Sequence, residues 1–366
     1  MSIIAAKFGG TSLCDADAFL CTAGIIFQNA DRRYIILSAP GKRGADDEKV
    51  TDLFLRAYEA EPPGDQYIFA RIFQRYACIR DRLAPAFDLE GEMAAIFPRL
   101  HIARDFAASR GEYLCAKLFS ACFDIPFVDA EDILFFGDSG AIDRDKSFAA
   151  VSKRLLPLER AVIPGFYASS PAGIKLFPRG GSDVSGAWIA AATNADIYEN
   201  WTDVDGVFSA DPAKIADAHC HKSISFRQMR QMALAGAKVL HPDALSPLPG
   251  SGISTVIRNT FHPELPGTVI SENEAHFVPA VTGCCPVYFD GSGCVSSVKL
   301  HRVPNDKPMG IISVFGADEN AFREIAVQYK NIHIIHMPEH IQIITEIDEY
   351  QTSLNDIHRI LVKNII

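Results

Sequence analysis

The sequence predicts an α/β protein: a mainly parallel sheet with helices on both faces, followed by a small α+β domain. Three observations predict it. Short apolar strands alternate with helical patterns through most of the chain. Glycine-rich turns stand where strands give way to helices. The last part of the chain, beyond residue 275, changes to a β-α-β-β-α rhythm.

In chain order, residues 3–8 read as a strand, and residues 15–28 as a helix with Phe19, Ala23, Ile26 and Phe27 on its inner side. Residues 34–39 are a second strand. Residues 65–110 are helical, with Ile68, Ile72 and Tyr76 recurring at i+4, and are interrupted near Pro85 and Pro98. A further helix is expected over 111–123 and a short strand over 127–129. Strands follow at 161–166, 197–202 and 255–258, and helices at 182–192 and 225–235. The segment 263–275, PELPGTVISENEA with its two prolines, marks a boundary between domains at 1–272 and 276–366. Past it come strands at 310–314, 332–336 and 340–346 and helices at 319–329 and 354–362.

A chain of 366 residues has room for two to three domains, and 48% hydrophobic with 22% charged residues fits a globular protein. The formal net charge of -10 argues against a general nucleic-acid binder, which needs a basic face. Nine cysteines without a Cys-x-x-Cys pair leave at least one unpaired, as expected in a reducing cytoplasm. Neither a basic-then-apolar leader nor an apolar run of about 18 residues is present, so a cytoplasmic, membrane-free protein is expected. Cys115 and Cys122 fall on one helical face and read as core. His219, His221, His333, His336 and His340 lack zinc-ligand spacing, so no protein-held metal is expected.

Three segments carry candidate chemistry. Lys7-Phe8-Gly9-Gly10-Thr11-Ser12 runs from a strand end towards a helix, where glycines admit a close ligand and exposed N–H groups favour an anion beside the Lys7 ammonium. An ordinary βα turn accounts for the same letters. Arg179-Gly180-Gly181-Ser182-Asp183 opens another helix. Ser182 or Asp183 could cap it, while Arg179 suits bidentate recognition of a carboxylate or phosphate. In Trp201-Thr202-Asp203-Val204-Asp205-Gly206-Val207-Phe208, a calcium loop is excluded because Pro212 stands where the closing glutamate belongs. Lys238 is a further candidate phosphate ligand. Two lysines, an arginine and two Gly-Gly turns in an acidic protein suit phosphoryl transfer, where catalysis is mostly positioning and neutralisation of charge.

The motifs KFGGTSL, VTDLF, SRGE, RGGSD, WTDVDGVFSADP, GAKVLHP and IRNT…PGT, in this order, resemble aspartate kinases of the amino-acid-kinase superfamily over residues 3–270. The resemblance implies a three-layer αβα sandwich with a shortened ACT-like tail. It implies ATP-dependent phosphorylation of the L-aspartate β-carboxylate, with Mg2+ bound through the ATP phosphates. It implies as well a homodimer or higher homo-oligomer serving lysine and related biosynthesis. Carried over, Lys7 stabilises charge on the transferring phosphoryl group with the N–H groups of Gly9 and Gly10. Ser38 and Thr51 lie near bound aspartate, Glu112 takes its α-ammonium, and Arg179 clamps its α-carboxylate. Asp183 and Ser182 organise that pocket, while Thr202, Asp203, Phe208, Asp211 and Lys238 meet the nucleotide.

Departures from the family pattern are Phe208 for a common tyrosine, Ala213 for arginine, and Arg227, Gln228 and Gln231 in a helix that is usually acidic. The tail has space for about one ACT module where two are usual, so weak or absent feedback by lysine and threonine is expected. Two other readings are a kinase with a different carboxylate acceptor and a non-catalytic amino-acid sensor.

Overall fold

A computed structural model describes residues 2–178, 180–237, 239–240, 244, 246–272, 279–287, 294–295, 298–299, 309–317, 319–328, 333–336 and 340–363. The chain divides into two compact units, residues 1–205 with 243–271, and residues 206–242 with 272–366.

In the first unit, β1 (Ile4–Phe8) leads through a 3-10 turn to α1 (Ala16–Gln28), whose N-terminus is capped by the Asp15 carboxylate accepting from the Ala18 N–H. After β2 (Arg32–Leu37) come α2 (Val50–Glu59), α3 (Gly64–Leu83), α4 (Leu89–Ile96) and α5 (Arg104–Phe123), then α6 (Arg144–Arg154). The order continues with β3 (Ala161–Pro164), the hairpin β4 (Tyr167–Ser170) and β5 (Gly173–Leu176), α7 (Gly181–Ala192) and β6 (Ile197–Thr202). Beyond the second unit's first segment, β8 (Ser254–Asn259) and β9 (Thr268–Ser271) complete this unit. Its sheet runs β3-β2-β1-β6-β8-β9, parallel except for the β8–β9 pair.

Alternation along β1 sorts the sheet's two faces. Ile4, Ala6 and Phe8 join the main core with residues of α1 to α5, and Phe8 stacks on Trp201 at 5.8 Å. Lys7 stands outside that cluster and pairs with an aspartate of α7. The result is the expected three-layer αβα sandwich. A buried ion pair braces the sheet: Arg32 Nε lies 2.7 Å from Glu199 Oε2, which also accepts from the Trp201 indole N–H at 2.8 Å. Behind the sheet, the Tyr76 hydroxyl donates to the Gly111 carbonyl at 2.6 Å inside the core. Tyr76→Phe removes that bond while the carbonyl keeps its partner within α5, and should cost about 1 kcal/mol of stability, read from chemical denaturation.

Several expectations need correction. The helix expected from Gly111 starts at Arg104, because Gly111 is a packing site within α5 and not a break. A Cβ there would stand 2.8 Å from Ala39 Cβ. Phe27 does not face inward but is 52% exposed, with the Arg160 guanidinium over its ring. The strand expected at 127–129 reduces to a single bridge between Phe127 and Val162. Within the presumed linker, Thr268–Ser271 is a strand.

The second unit contains β7 (Ser223–Ser225), α8 (Phe226–Leu234), β10 (Ala280–Val287), the short pair β11 (Cys294–Val295) and β12 (Val298–Lys299), β13 (Met309–Phe315), α9 (Glu319–Gln328), β14 (His333–His336), β15 (His340–Glu346) and α10 (Tyr350–Lys363). An antiparallel sheet, β10-β13-β15-β14, packs on α9 and α10, which gives the expected β-α-β-β-α order with one strand added in front. Residues 206–242 pack with this unit. Ala210 and Ile215 are buried in the core with Val281, Ile312, Ile343 and Leu354, and the Val281 N–H donates to the Ser209 carbonyl at 2.7 Å. Among the described residues, no helix is long and apolar enough to cross a membrane.

Candidate active site

A cavity of about 460 Å³ opens at the C-terminal ends of β1, β2 and β6 and is lined by Lys7, Gly9, Gly10, Thr11, Ser38, Ala39, Pro40, Gly41, Lys42, Lys49, Thr51, Glu112, Thr202 and Asp203. Such an edge is where parallel α/β sheets bind ligands, because strands end there in loops with free backbone groups. Strand register brings the distant stretches together. Lys7 lies opposite Ile36 on one neighbouring strand and Asn200 on the other. Glu112 reaches the cavity from the middle of α5, and Thr51 from the first turn of α2.

Lys7 is buried, with Nζ 2.5 Å from Asp183 Oδ1 and 3.4 Å from Asn200 Oδ1. Asn200 in turn donates to Asp183 Oδ1 at 3.0 Å, so both neighbours fix the ammonium. Asp183 sits in the first turn of α7, where the helix starts on Gly180 in a left-handed conformation at φ 73°. Gly181 has a steric reason too, since a Cβ there would stand 2.5 Å from the Phe166 ring. The second Gly-Gly turn is thus explained by local packing. In the first, a Cβ on Gly10 would come within 2.9 Å of the Ala39 carbonyl oxygen.

Glu112 is the electrostatic opposite of Lys7. Its carboxyl is buried, and Oε2 has no hydrogen-bond partner. Burial pushes it up to about 8, against the lowering effects of the Ala39 N–H, its own N–H and the Arg110 charge. A buried carboxyl oxygen without a partner on a cavity wall is a place for a cationic donor.

Lys7, Gly9, Gly10, Ser38, Thr51, Glu112, Thr202 and Asp203 therefore share one cavity, with Asp183 behind Lys7. Ser182 does not line it; the side chain packs against Gly165. Phe208 and Asp211 belong to the second unit. There Phe208 bridges Cys220, while Asp211 accepts from the Ala213 N–H and lies 3.8 Å from Lys214 Nζ. Arg179 and Lys238 lie outside the described residues. The sequence reading missed Asn200, Lys42 and Lys49. Asn200 is one strand over from Lys7 in register, and the strand pairing alone could have found it.

A cation and exposed amides at one end of a parallel sheet, with a buried carboxyl that has one oxygen to spare in the same cavity, fit a kinase of small anionic metabolites. The pattern of the amino acid kinase family matches residues 2–259, and the chain belongs to that family. Within it, the chain is a member of the aspartokinases. It is 31% identical to aspartokinase 3 of Bacillus subtilis over 77% of this chain and 68% of that protein. It is 30% identical to a bifunctional aspartokinase/homoserine dehydrogenase of maize over 74% of this chain, and spans only 32% of that longer protein. Among solved structures, the aspartate kinase of Clostridium acetobutylicum superposes with a TM-score of 0.83 at 28% identity, covering 99% of this chain and 100% of the other. Aspartokinase III of Escherichia coli, solved with aspartate and ADP, shares the fold at TM-score 0.80 and 22% identity, covering 98% of this chain and 100% of the other.

Proposed function

We propose that this chain transfers the γ-phosphoryl group of ATP to the β-carboxylate of L-aspartate, giving 4-phospho-L-aspartate and ADP. The observation that supports this best is the one cavity that joins the buried Glu112 carboxyl, whose Oε2 has no hydrogen-bond partner, to the Lys7 ammonium and the Gly9-Gly10 turn. In this reading Glu112 holds the acceptor's α-ammonium, Arg179 its α-carboxylate, and Ser38 and Thr51 line its other side. Lys7 meets the phosphoryl group in transit, and Asp183 with Asn200 orients Lys7. Thr202 and Asp203 serve the nucleotide.

The attacking carboxylate is already ionised at neutral pH, so the reaction needs no catalytic base. It needs alignment, and neutralisation of charge on the transferring group. Magnesium would come with ATP and neutralise charge on its phosphates. The same reading makes the chain the first enzyme of aspartate-derived amino-acid synthesis in the cytoplasm, acting as a homo-oligomer. Its shortened ACT-like tail would respond weakly to lysine and threonine.

Purified protein with Mg-ATP, hydroxylamine and a panel of amino acids tests the assignment. Aspartyl hydroxamate with matching ADP is expected from aspartate. Turnover only with another acceptor would replace the substrate, and no turnover with any would favour a sensor.

A further inference from the structure

Arg75 stands in the middle of α3, away from the cavity wall, yet its side chain is 6% exposed. One loop engages both terminal nitrogens of the guanidinium. Nη2 donates to the Gly41 carbonyl at 2.6 Å, Nη1 donates to the Glu48 carbonyl at 2.8 Å, and Nη1 lies 3.0 Å from Asp47 Oδ2. Arg43 holds the same Asp47 carboxylate from inside the loop, through its own N–H at 3.0 Å and through Nε at 2.8 Å. These two guanidinium groups keep the Asp47 carboxyl far below the usual carboxylate range. Burying a guanidinium is costly unless its donors are satisfied, and here the contacts of Nη1 and Nη2 are to residues 41–48.

The loop is pinned at both ends as well. The Gly41 N–H donates to the Gly10 carbonyl at 2.7 Å, and the Val50 N–H to the Pro40 carbonyl at 3.3 Å. Gly41 lies so close to the Gly9-Gly10 turn that a Cβ on it would stand 2.6 Å from the Gly10 carbonyl carbon. What the loop carries into the cavity is Lys42 and Lys49, both exposed and neither paired with a carboxylate among the described residues. Free ammonium groups at a cavity rim raise the local concentration of anions, provided the chain that carries them is ordered.

We propose that loop 40–49 is a cationic arm of the site and that Arg75 is its positioning residue. By tying Gly41, Asp47 and Glu48 to α3, Arg75 holds Lys42 and Lys49 where they meet anionic oxygens of a substrate. Those oxygens belong to the nucleotide's polyphosphate or to the acceptor's carboxylate. Only the naming of these two ligands rests on the function proposed above.

The test measures binding without turnover, by calorimetry on the full chain, with ATP and with aspartate separately, at low and at high salt. The double variant Lys42→Met/Lys49→Met should bind one of the two ligands roughly tenfold more weakly at low salt. At high salt the difference should shrink to about twofold, because exposed charges are screened. The ligand affected identifies the oxygens. Arg75→Lys keeps a charge but reaches one acceptor at a time, so it should weaken the same ligand and lose the same salt dependence. Added to the double lysine variant, it should cost less than about twofold more, because the arm it positions carries no charge. Asp47→Asn provides the same comparison with Arg75 intact, should Arg75→Lys fail to fold. Two results overturn the proposal: unchanged affinity for both ligands when the lysines are gone, or an Arg75→Lys loss equally large with and without them. If the wild-type chain binds ATP but never aspartate, the acceptor assignment fails while the ATP titrations still decide the role of the arm.

Discussion

Lys7→Ala should lower kcat for aspartate phosphorylation by about 100- to 1000-fold and change the KM for aspartate by less than about threefold. The asymmetry follows from where the charge is needed. Lys7 is held by Asp183 Oδ1 at 2.5 Å and Asn200 Oδ1 at 3.4 Å, on the strand next to the Gly9-Gly10 turn, so its ammonium is fixed before substrate arrives. A group fixed in advance contributes most where negative charge builds up during transfer, and contributes little to holding the ground-state acceptor. The variant leaves Asp183 with the Asn200 amide as partner, so the fold has a route to survive; a melting curve separates lost activity from lost structure. Equal, mild changes in kcat and KM would remove Lys7 from the reaction.

Glu112→Gln should raise the KM for aspartate by about 100-fold and abolish its pH dependence below pH 8. With its carboxyl pushed up to about 8 by burial, the empty site carries a protonated Glu112 at neutral pH. An α-ammonium can be held strongly only by the carboxylate, so binding releases one proton. Aspartate affinity should therefore rise about tenfold per pH unit up to about pH 8, then level off. The consequence for stability has the opposite sign. A carboxyl raised on folding retains its proton in the native state while the unfolded chain has lost it. Folding stability therefore falls as pH rises from the unfolded value of 4.5 and stops falling above about 8. At roughly 1.4 kcal/mol per unit, this is a penalty of about 3–5 kcal/mol at pH 9. Glutamine keeps an acceptor for the Ala39 N–H without that penalty, so the variant should melt several degrees higher than wild type at pH 9 and nearly level with it at pH 5. Equal melting temperatures at both pH values would show that Glu112 is not held in its neutral form.

Strand-and-helix alternation and the Gly-Gly turns were legible in the sequence because period and turn chemistry are local. Residues 3–8 and 197–202 as strands, and 182–192 as a helix, were found to within a residue or two. Glycines inside helices were not legible. Gly111 reads as a break, yet sits within α5 because the Ala39 Cβ occupies the space a side chain would need. Phe27 fits the helical period of α1 but lies where the core ends, and period alone does not say how wide the buried stripe is. Lys7 and the Gly9-Gly10 turn stand out as sequence, whereas Asn200 and Arg75 do not. The first depends on strand register, and the second on a buried arginine that looks like any other on a helix. The grouping of residues 206–242 with the tail depends on a core shared with strands that follow far along the chain.

The most direct measurement is a crystal structure of the chain with L-aspartate and a non-hydrolysable ATP analogue. The account predicts the aspartate α-ammonium within hydrogen-bond distance of Glu112 Oε2, and the terminal phosphate within reach of Lys7 Nζ and the Gly10 N–H. An acceptor lying with a carboxylate against Glu112, or a nucleotide bound away from the Gly9-Gly10 turn, would contradict it.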